Sequence, residues 1–539
     1  MTGLMMQYPL TLTHILERSA KLYPRREIAS RLGDGLMHRY TYAEFYGRVH
    51  RLAHVLQRLG VKPGDRIGTL CWNSYRHLEL YFAIPCAGAV LHTLNLRLAA
   101  DQLAYIINHA EDRVIFVDSS LLHILEPIRN ELRSVERIVV LDDGAEYESL
   151  LAAAPAEPYP WPALDENAAC ATCYTSGTTG NPKGVLYSHR SLVLHSFCLC
   201  MSDAFALSER DTILQLVPMF HANGWGIPYA GIMTGSRLVF CGRQLQPADI
   251  AFLVESERAT FSAGVPTLWM SLYGYLESNP HEISSLRTVV VAGSAMPRDF
   301  IERYEKKYGI RFMLAWGMTE TTPIATVTCL KSDLERLPEK ERFDQLARHG
   351  LPVAGVDVRI VDEVGRELPW DGVTMGELQV RGPWITSGYY NDSRSEQAFM
   401  DGWFRTGDVA TIDAEGYIQI MDRTKDLVKS GGEWISSVDL ENAIMAHPKV
   451  MEAAVIGVFH PKWQERPLAC IAPLPQYKGE LTKEELIDFL APRVARWWLP
   501  DDIVFVDAVP KTSVGKFNKR ALREQFRDYK LPGAGAAAG

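Results

Sequence analysis

Residues 174–184 read Tyr-Thr-Ser-Gly-Thr-Thr-Gly-Asn-Pro-Lys-Gly, a hydroxyl-rich glycine turn that follows an apolar run and closes on a lysine. Such a segment cradles an oxyanion. Gly177, Gly180 and Gly184 let the backbone approach it, Thr175, Ser176, Thr178 and Thr179 offer hydroxyl donors, and Lys183 brings a mobile charge. The ligand that this chemistry suits is a nucleoside triphosphate. The spacing is not the G-x-x-x-x-G-K-[ST] of P-loop NTPases: only Asn181 and Pro182 separate Gly180 from Lys183, and Gly184 stands where a metal-binding hydroxyl is expected. A kinase or GTPase is therefore disfavoured.

Three further segments carry candidate chemistry. Trp316-Gly317-Met318-Thr319-Glu320-Thr321 follows an apolar strand, so Glu320 is either a magnesium ligand at a strand end or the cap of a following helix. Residues 402–408, Gly-Trp-Phe-Arg-Thr-Gly-Asp, are expected to put Asp408 at the end of a tight turn, suited to a pair of ribose hydroxyls. Lys516, in Pro510-Lys511-Thr512-Ser513-Val514-Gly515-Lys516, is expected on a glycine-hinged loop ahead of a helix, where a lysine can reach. A metal reading of Cys170-x-x-Cys173 is disfavoured, because the pair lies in the apolar run before the glycine turn and nothing in the sequence completes a tetrahedral set.

The elements that position these residues follow from the hydrophobic pattern. Apolar strand-like runs alternate with amphipathic windows from about residue 40 to 330, as at 66–71, 75–89 and 113–117, which predicts mostly parallel sheets covered by helices. Short strands at 356–361 and 376–381 predict a β-rich lobe ending near Asp422. Beyond it a compact α+β unit is expected, with helices over 438–447 and from Lys483, the latter opened by a capping box of Thr482 and Glu485. The division predicted is 1–422, 423–531 and a small-residue tail, 532–539, that reads as disordered.

At 539 residues, 47% hydrophobic and 22% charged, the chain has the composition of a soluble globular protein of two or three domains. A net charge of -9 argues against a nucleic-acid or anionic-membrane surface. Residues 423–539 hold 17 Lys and Arg against 15 Asp and Glu, so this part is +2 and the rest -11. Seven of its cations, Lys511, Lys516, Lys519, Arg520, Arg523, Arg527 and Lys530, crowd one stretch, and apart from Lys516 most are expected on a solvated helix face. Nine scattered cysteines point to reduced thiols, and no leader or run of about 18 apolar residues is seen, so a cytoplasmic location is expected.

Taken together, 175–184, 316–320, Thr406-Gly407-Asp408, Asp422-Arg423-Thr424-Lys425-Asp426, Lys429-Ser430-Gly431-Gly432 and Lys516 resemble the adenylate-forming enzymes: acyl-CoA synthetases, peptide-synthetase adenylation domains and luciferases. The resemblance spans nearly the whole chain. Residues 315–321 and 431–437 are most similar to bacterial medium- to long-chain fatty acyl-CoA synthetases. It implies an α/β fold with a large N-terminal domain of layered sheets and β-rich lobe and a small mobile α+β C-terminal domain. It also implies ATP, Mg2+ and CoA as reactants, and a homodimer.

By the same resemblance Lys516, Lys429, His221 and Thr319 are catalytic, Thr175 and Glu320 hold magnesium, and Thr175, Ser176, Gly177, Thr178, Thr179, Gly180 and Lys183 hold phosphates. Gly293, Leu314, Ala315, Trp316 and Thr319 line the nucleotide pocket, Asp408 and Arg423 hold ribose, Trp434 stacks on adenine, Lys425 is the hinge, and Lys429 serves the nucleotide or the second step. Ala315 stands where the family often has glycine, and Trp316 where it has tyrosine or phenylalanine. In 218–226, His221, Ala222 and Trp225 belong to the acyl site; Trp225 is either the gate of an acyl tunnel or a packed core residue, and Gly224, Gly226 and Gly231 are read as leaving room behind it. The reaction implied is ligation of a medium- or long-chain fatty acid to CoA. The alternatives are a short thioether or aromatic acid, loading of a carrier-protein thiol, and a nucleotide- or acyl-AMP-binding protein without turnover.

Overall fold

The computed structural model describes all residues except 2, 142–145, 176–180, 424–425, 431–432, 512–516 and 533–539. The predicted alternation is present as two large sheets. One has six strands in the spatial order Arg137–Leu141, Asp112–Asp118, Arg66–Leu70, Val90–Thr93, Ala169–Tyr174, Gly184–Ser188. Five run parallel and the last is antiparallel to Ala169–Tyr174, with Tyr174 opposite Gly184. The second sheet has nine strands, six of them parallel, from Arg311–Gly317 through Thr288–Val291, Phe261–Gly264, Thr212–Gln215 and Arg237–Phe240 to Glu27–Arg31. Strands such as Thr288–Val291 and Val90–Thr93 are buried at every position, as parallel strands covered on both faces must be.

The β-rich lobe is a five-stranded antiparallel sheet whose central strand, Trp403–Ile412, pairs with both Gly376–Arg381 and Ile418–Arg423. Asp408 therefore lies within a long strand, not at the end of a tight turn. Its approach is shaped by Gly407, whose φ of +70° is cheap only for glycine, and by a register shift between Val409 and Ala410.

Beyond Asp422, the sheet built on the hairpin Val450–His460 and Gln464–Pro473 carries its own two cores. Leu440, Ile444, Leu486 and Leu490 pack on one face; Leu522 and Leu531 pack on the other. The helix Ser437–Met445 begins where expected, with the Ser436 hydroxyl accepting from Asp439 N, a cap worth about 1 kcal/mol. At Lys483–Leu490 only half of the predicted box forms: Thr482 accepts from Glu485 N, whereas the Glu485 carboxylate turns to Lys449 at 2.8 Å. The nearby ammonium is a stronger partner for a carboxylate than a neutral backbone N–H. Lys519 also departs from expectation, being buried.

Candidate active site

A cleft of about 1980 Å³ opens between the two large sheets, the β-rich lobe and the C-terminal unit. Thr175, Lys183, His221, Ala222, Trp225, Gly293, Ala315, Trp316, Thr319, Glu320, Asp408 and Arg423 all line it. Leu314 and Lys429 are not in its wall. Leu314 is buried in the core behind the wall, and Lys429 projects outward from the strand Val428–Ser430, between the buried Val428 and Ser430. Trp434 lies on the strand Glu433–Ile435. Ser176, Gly177, Thr178, Thr179, Gly180, Lys425 and Lys516 lie outside the described residues.

The segment that holds the glycine turn connects two antiparallel strands, Ala169–Tyr174 and Gly184–Ser188. Its mouth is stapled by Thr175 N donating to Lys183 O at 2.9 Å and by Lys183 N donating to Thr175 Oγ1 at 3.1 Å. Tyr174 packs so closely against Gly184 that a Cβ there would meet its ring at 2.9 Å. Lys183 Nζ lies 4.3 Å from the centre of the Tyr389 ring, and the Tyr389 hydroxyl donates to Glu320 Oε1 at 2.7 Å. Burial pulls the Lys183 ammonium below the usual lysine range, assisted by Arg394 and opposed by Glu320. Burial, then the Glu320 charge, pushes the Tyr389 phenol up, so it stays a donor.

Glu320 sits in the 3₁₀ turn Thr319–Thr321, 5% exposed. It caps no helix. Its carbonyl accepts from Thr386 N at 2.8 Å, and the neighbouring Thr319 carbonyl accepts from the Tyr187 hydroxyl at 2.7 Å, so the turn is fixed from two sides. The carboxylate and the Thr175 hydroxyl are hard oxygen donors facing one cavity, which fits magnesium. Among the described residues no group of three His, Cys, Asp or Glu could hold an ion, so such a cation would complete its shell with nucleotide and water oxygens.

Elsewhere in the cleft wall the Asp408 carboxylate is held by two donors, Trp316 Nε1 to Oδ2 at 2.9 Å and Arg423 Nε to Oδ1 at 2.6 Å. The carboxylate keeps lone pairs for further donors, and the Asp408 charge raises the Arg423 guanidinium. Gly293, at φ +96°, brings backbone to the same wall.

The apolar side departs from expectation. Ala222, Asn223, Gly224, Trp225 and Gly226 have φ of 33°, 36°, 60°, 57° and 71°, a left-handed turn that costs roughly 1–2 kcal/mol per non-glycine residue. Thr93 Oγ1 accepts from Asn223 Nδ2 at 3.2 Å, and Gln215 Nε2 donates to the Gly224 carbonyl at 3.3 Å, holding it. Trp225 is 5% exposed and also borders the cleft, so it packs in the core at the cleft wall. The glycines do not leave room behind it. A Cβ on Gly226 would meet His195 Nδ1 at 2.6 Å, one on Gly231 Leu238 Cδ2 at 2.7 Å, and one on Gly224 Gln215 Nε2 at 3.3 Å. They permit close packing instead.

Cys170 and Cys173 are buried, with burial pushing the Cys173 thiol up to about 11 and the Cys170 thiol well above its ordinary value; Cys173 Sγ accepts from Asn223 N at 3.2 Å. Tyr389 and Arg394 were not singled out from sequence. Nothing but Gly388-Tyr389-Tyr390 in a loop hinted at the first, because its partners lie more than 60 residues away in the chain.

Residues 16–390 match the model of the AMP-binding enzyme family, and residues 439–516 match its C-terminal domain. The chain is 51% identical over 534 residues to a long-chain-fatty-acid–CoA ligase of Thermus thermophilus, covering 97% of each chain. It is 42% identical to a medium-chain-fatty-acid–CoA ligase of Ectopseudomonas oleovorans, covering 98% of each. ATP-bound MatB from Rhodopseudomonas palustris superimposes with a TM-score of 0.84 at 28% identity, over 97% of this chain and 100% of that one. With a family match over most of its length and a cleft bringing Thr175, Lys183, Glu320 and Asp408 together, this chain belongs to the AMP-binding enzyme family, the adenylate-forming enzymes.

Proposed function

We propose that the cleft ligates a medium- or long-chain fatty acid to CoA in two steps. The acid's carboxylate attacks the α-phosphorus of ATP, forming acyl-AMP as the bond to pyrophosphate breaks. The CoA thiol then attacks the acyl carbonyl and AMP leaves. The observation that carries the reading is the set of groups that line one cleft: Thr175, Lys183 and Glu320, the last two linked through Tyr389; Asp408 with its donors Trp316 and Arg423; and His221, Ala222 and Trp225.

Two anions must meet in the first step, so cations and donors must be in place beforehand. Lys183 and the turn between Thr175 and Gly184 draw charge toward the departing pyrophosphate. Asp408 orients the ribose hydroxyls, itself aimed by Trp316 and Arg423. Magnesium, held by Glu320 and Thr175, would neutralise phosphate charge. Lys516 is assigned to the α-phosphate and carboxylate oxygens, and Thr319 to the adenylate. Lys425 is the pivot about which residues beyond it rotate for the second step; Lys429 serves the nucleotide or that second step, and Trp434 stacks on adenine. His221 faces the acyl group. A homodimer in the cytoplasm belongs to the same proposal.

The test is pyrophosphate release with ATP, magnesium and carboxylic acids of graded length, with and without CoA, and mass detection of the thioester. Maximal turnover at medium or long chains, with CoA consumed, is expected. Release confined to short thioether or aromatic acids overturns the fatty-acid assignment. Acyl-AMP that never reaches CoA moves the chain to carrier loading.

A further inference from the structure

Lys519 differs from its described basic neighbours, Lys511, Arg520, Arg523, Arg527 and Lys530, in being buried. Its side chain is 10% exposed and that of its partner Glu441 is 7% exposed, with Nζ donating to Glu441 Oε1 at 2.8 Å and to the Ser437 hydroxyl. Ser437 in turn donates its backbone N–H, at 2.9 Å, and its hydroxyl to Asp422 Oδ2. One hydroxyl can serve both, since it donates once and accepts through its lone pairs. Glu441 also accepts from Val455 N at 2.7 Å. The chain of contacts thus runs from the helix Lys519–Gln525 through Ser437–Met445 to Ile418–Arg423, the strand before the connection. One turn further along, Arg523 pairs with Asp426 at 2.6 Å, within that connection.

Lys519 also directly follows a pair of pinned flanks. Lys511 bridges to Phe517, and Asn518 N donates to Pro510 O at 2.7 Å, so both ends of 511–517 are pinned immediately before it.

We propose that Lys519 is a positioning residue for adenylation: it fixes the foot of the loop that carries Lys516 and ties it, through Ser437, to Asp422 on the other side of the connection. The inference rests on the reading of Lys516 given above. Without the ammonium, Glu441 and Asp422 face each other's surroundings uncompensated, and a buried carboxylate that loses its partner forces its neighbours apart. Adenylation needs the loop seated at the cleft. Attack of the CoA thiol on acyl-AMP already formed does not depend on that seating.

The experiment compares Lys519→Met, Lys519→Arg and Ser437→Ala in the full-length enzyme, reading pyrophosphate release without CoA, thioester formation from supplied acyl-AMP and CoA, and Tm. Lys519→Met should lower adenylation by about 10- to 100-fold, the range that misplacement of a reacting group produces. Thioester formation should change less than about threefold, and Lys519→Arg should restore most of the loss. Ser437→Ala should show the same selectivity with a smaller loss, which keeps the inference testable if Lys519→Met does not fold. In a Lys516→Ala background, Lys519→Met should change the residual adenylation less than about twofold, because the group it positions is gone. Equal losses in both half-reactions with a fall in Tm, or an undiminished loss in the Lys516→Ala background, would overturn it. Wild-type adenylation by Lys516→Ala alone would instead refute the reading beneath it.

Discussion

Tyr389 joins two charges that the sequence places far apart, so removing its hydroxyl isolates one contact. Tyr389→Phe keeps the ring under Lys183 and deletes the 2.7 Å donor to Glu320. Glu320 is 5% exposed, and the carboxylate would be left with one oxygen short of a partner. A hydrogen bond to a charged group contributes about 1.5–3 kcal/mol, which is roughly 10- to 150-fold in rate if it is fully expressed in the transition state. Tyr389→Leu also removes the ring, and a cation–π contact of a half-buried lysine adds about 0.5–2 kcal/mol. Single-turnover pyrophosphate release, across a magnesium titration, reads both. Tyr389→Phe should slow the step by at least about tenfold and shift the magnesium requirement upward, with Tyr389→Leu slower still. The reasoning fails if Tyr389→Phe stays within twofold of wild type at every magnesium concentration while Glu320→Gln is inactive. In that case the carboxylate matters but its orientation does not.

Trp316→Phe removes the 2.9 Å bond to Asp408 and keeps an aromatic face; the KM for ATP should rise by about 3- to 30-fold with kcat less affected, since the contact aims a binding group. An unchanged KM would mean that Arg423 alone orients the carboxylate. Gly226→Ala should lower Tm by several degrees, as a Cβ would sit 2.6 Å from His195 Nδ1 at a φ of +71° and such strain costs about 1–3 kcal/mol; a Tm equal to wild type would show that His195 can move aside. Burial holds His77 and His195 down to about 3 and His189 and His349 to about 4, from 6.5. The unfolded chain binds protons at these positions below its pKa while the folded chain does not, so stability is complete above pH 6.5 and falls as the pH drops. The denaturant midpoint should decline between pH 7.5 and 5.5, with stability falling by up to about 1.4 kcal/mol per pH unit per histidine, offset in part by Asp439 and Glu441, which burial raises to about 6 and about 7 so that the folded chain takes up protons there. A flat midpoint over that interval would refute neutral burial.

Local chemistry carries its own signature, and that part was legible in the chain. A hydroxyl-rich turn ending in Lys183 has its glycines and its lysine close together in the chain, because groups meant to surround one oxyanion come from one loop. The same holds for alternating strands and helices, for the Ser436 cap, and for the 315–321 and 431–437 signatures that resemble fatty acyl-CoA synthetases. Where the sequence reading failed, the deciding contact was distant. Glu485 forms half a box on paper and pairs with Lys449 in the fold; Asp408 resembles a turn residue and lies in a strand because Gly376–Arg381 and Ile418–Arg423 flank it.

The glycines near Trp225 mislead for a related reason. A missing side chain marks space, but only the tertiary structure says whether that space is open or filled, here by His195, Leu238 and Gln215. Lys519 and Lys516 are three residues apart and chemically alike in sequence, yet Lys519 becomes a buried anchor because Glu441, Ser437 and Asp422 converge on it from two other segments. The sequence by itself determined the chemistry available, since charge, hydroxyl and backbone freedom are properties of residue type. Only the tertiary structure decided which lysine is sequestered, which tyrosine links Lys183 to Glu320, and which carboxylate is aimed by an indole, because burial and pairing depend on segments that meet only when the chain has folded.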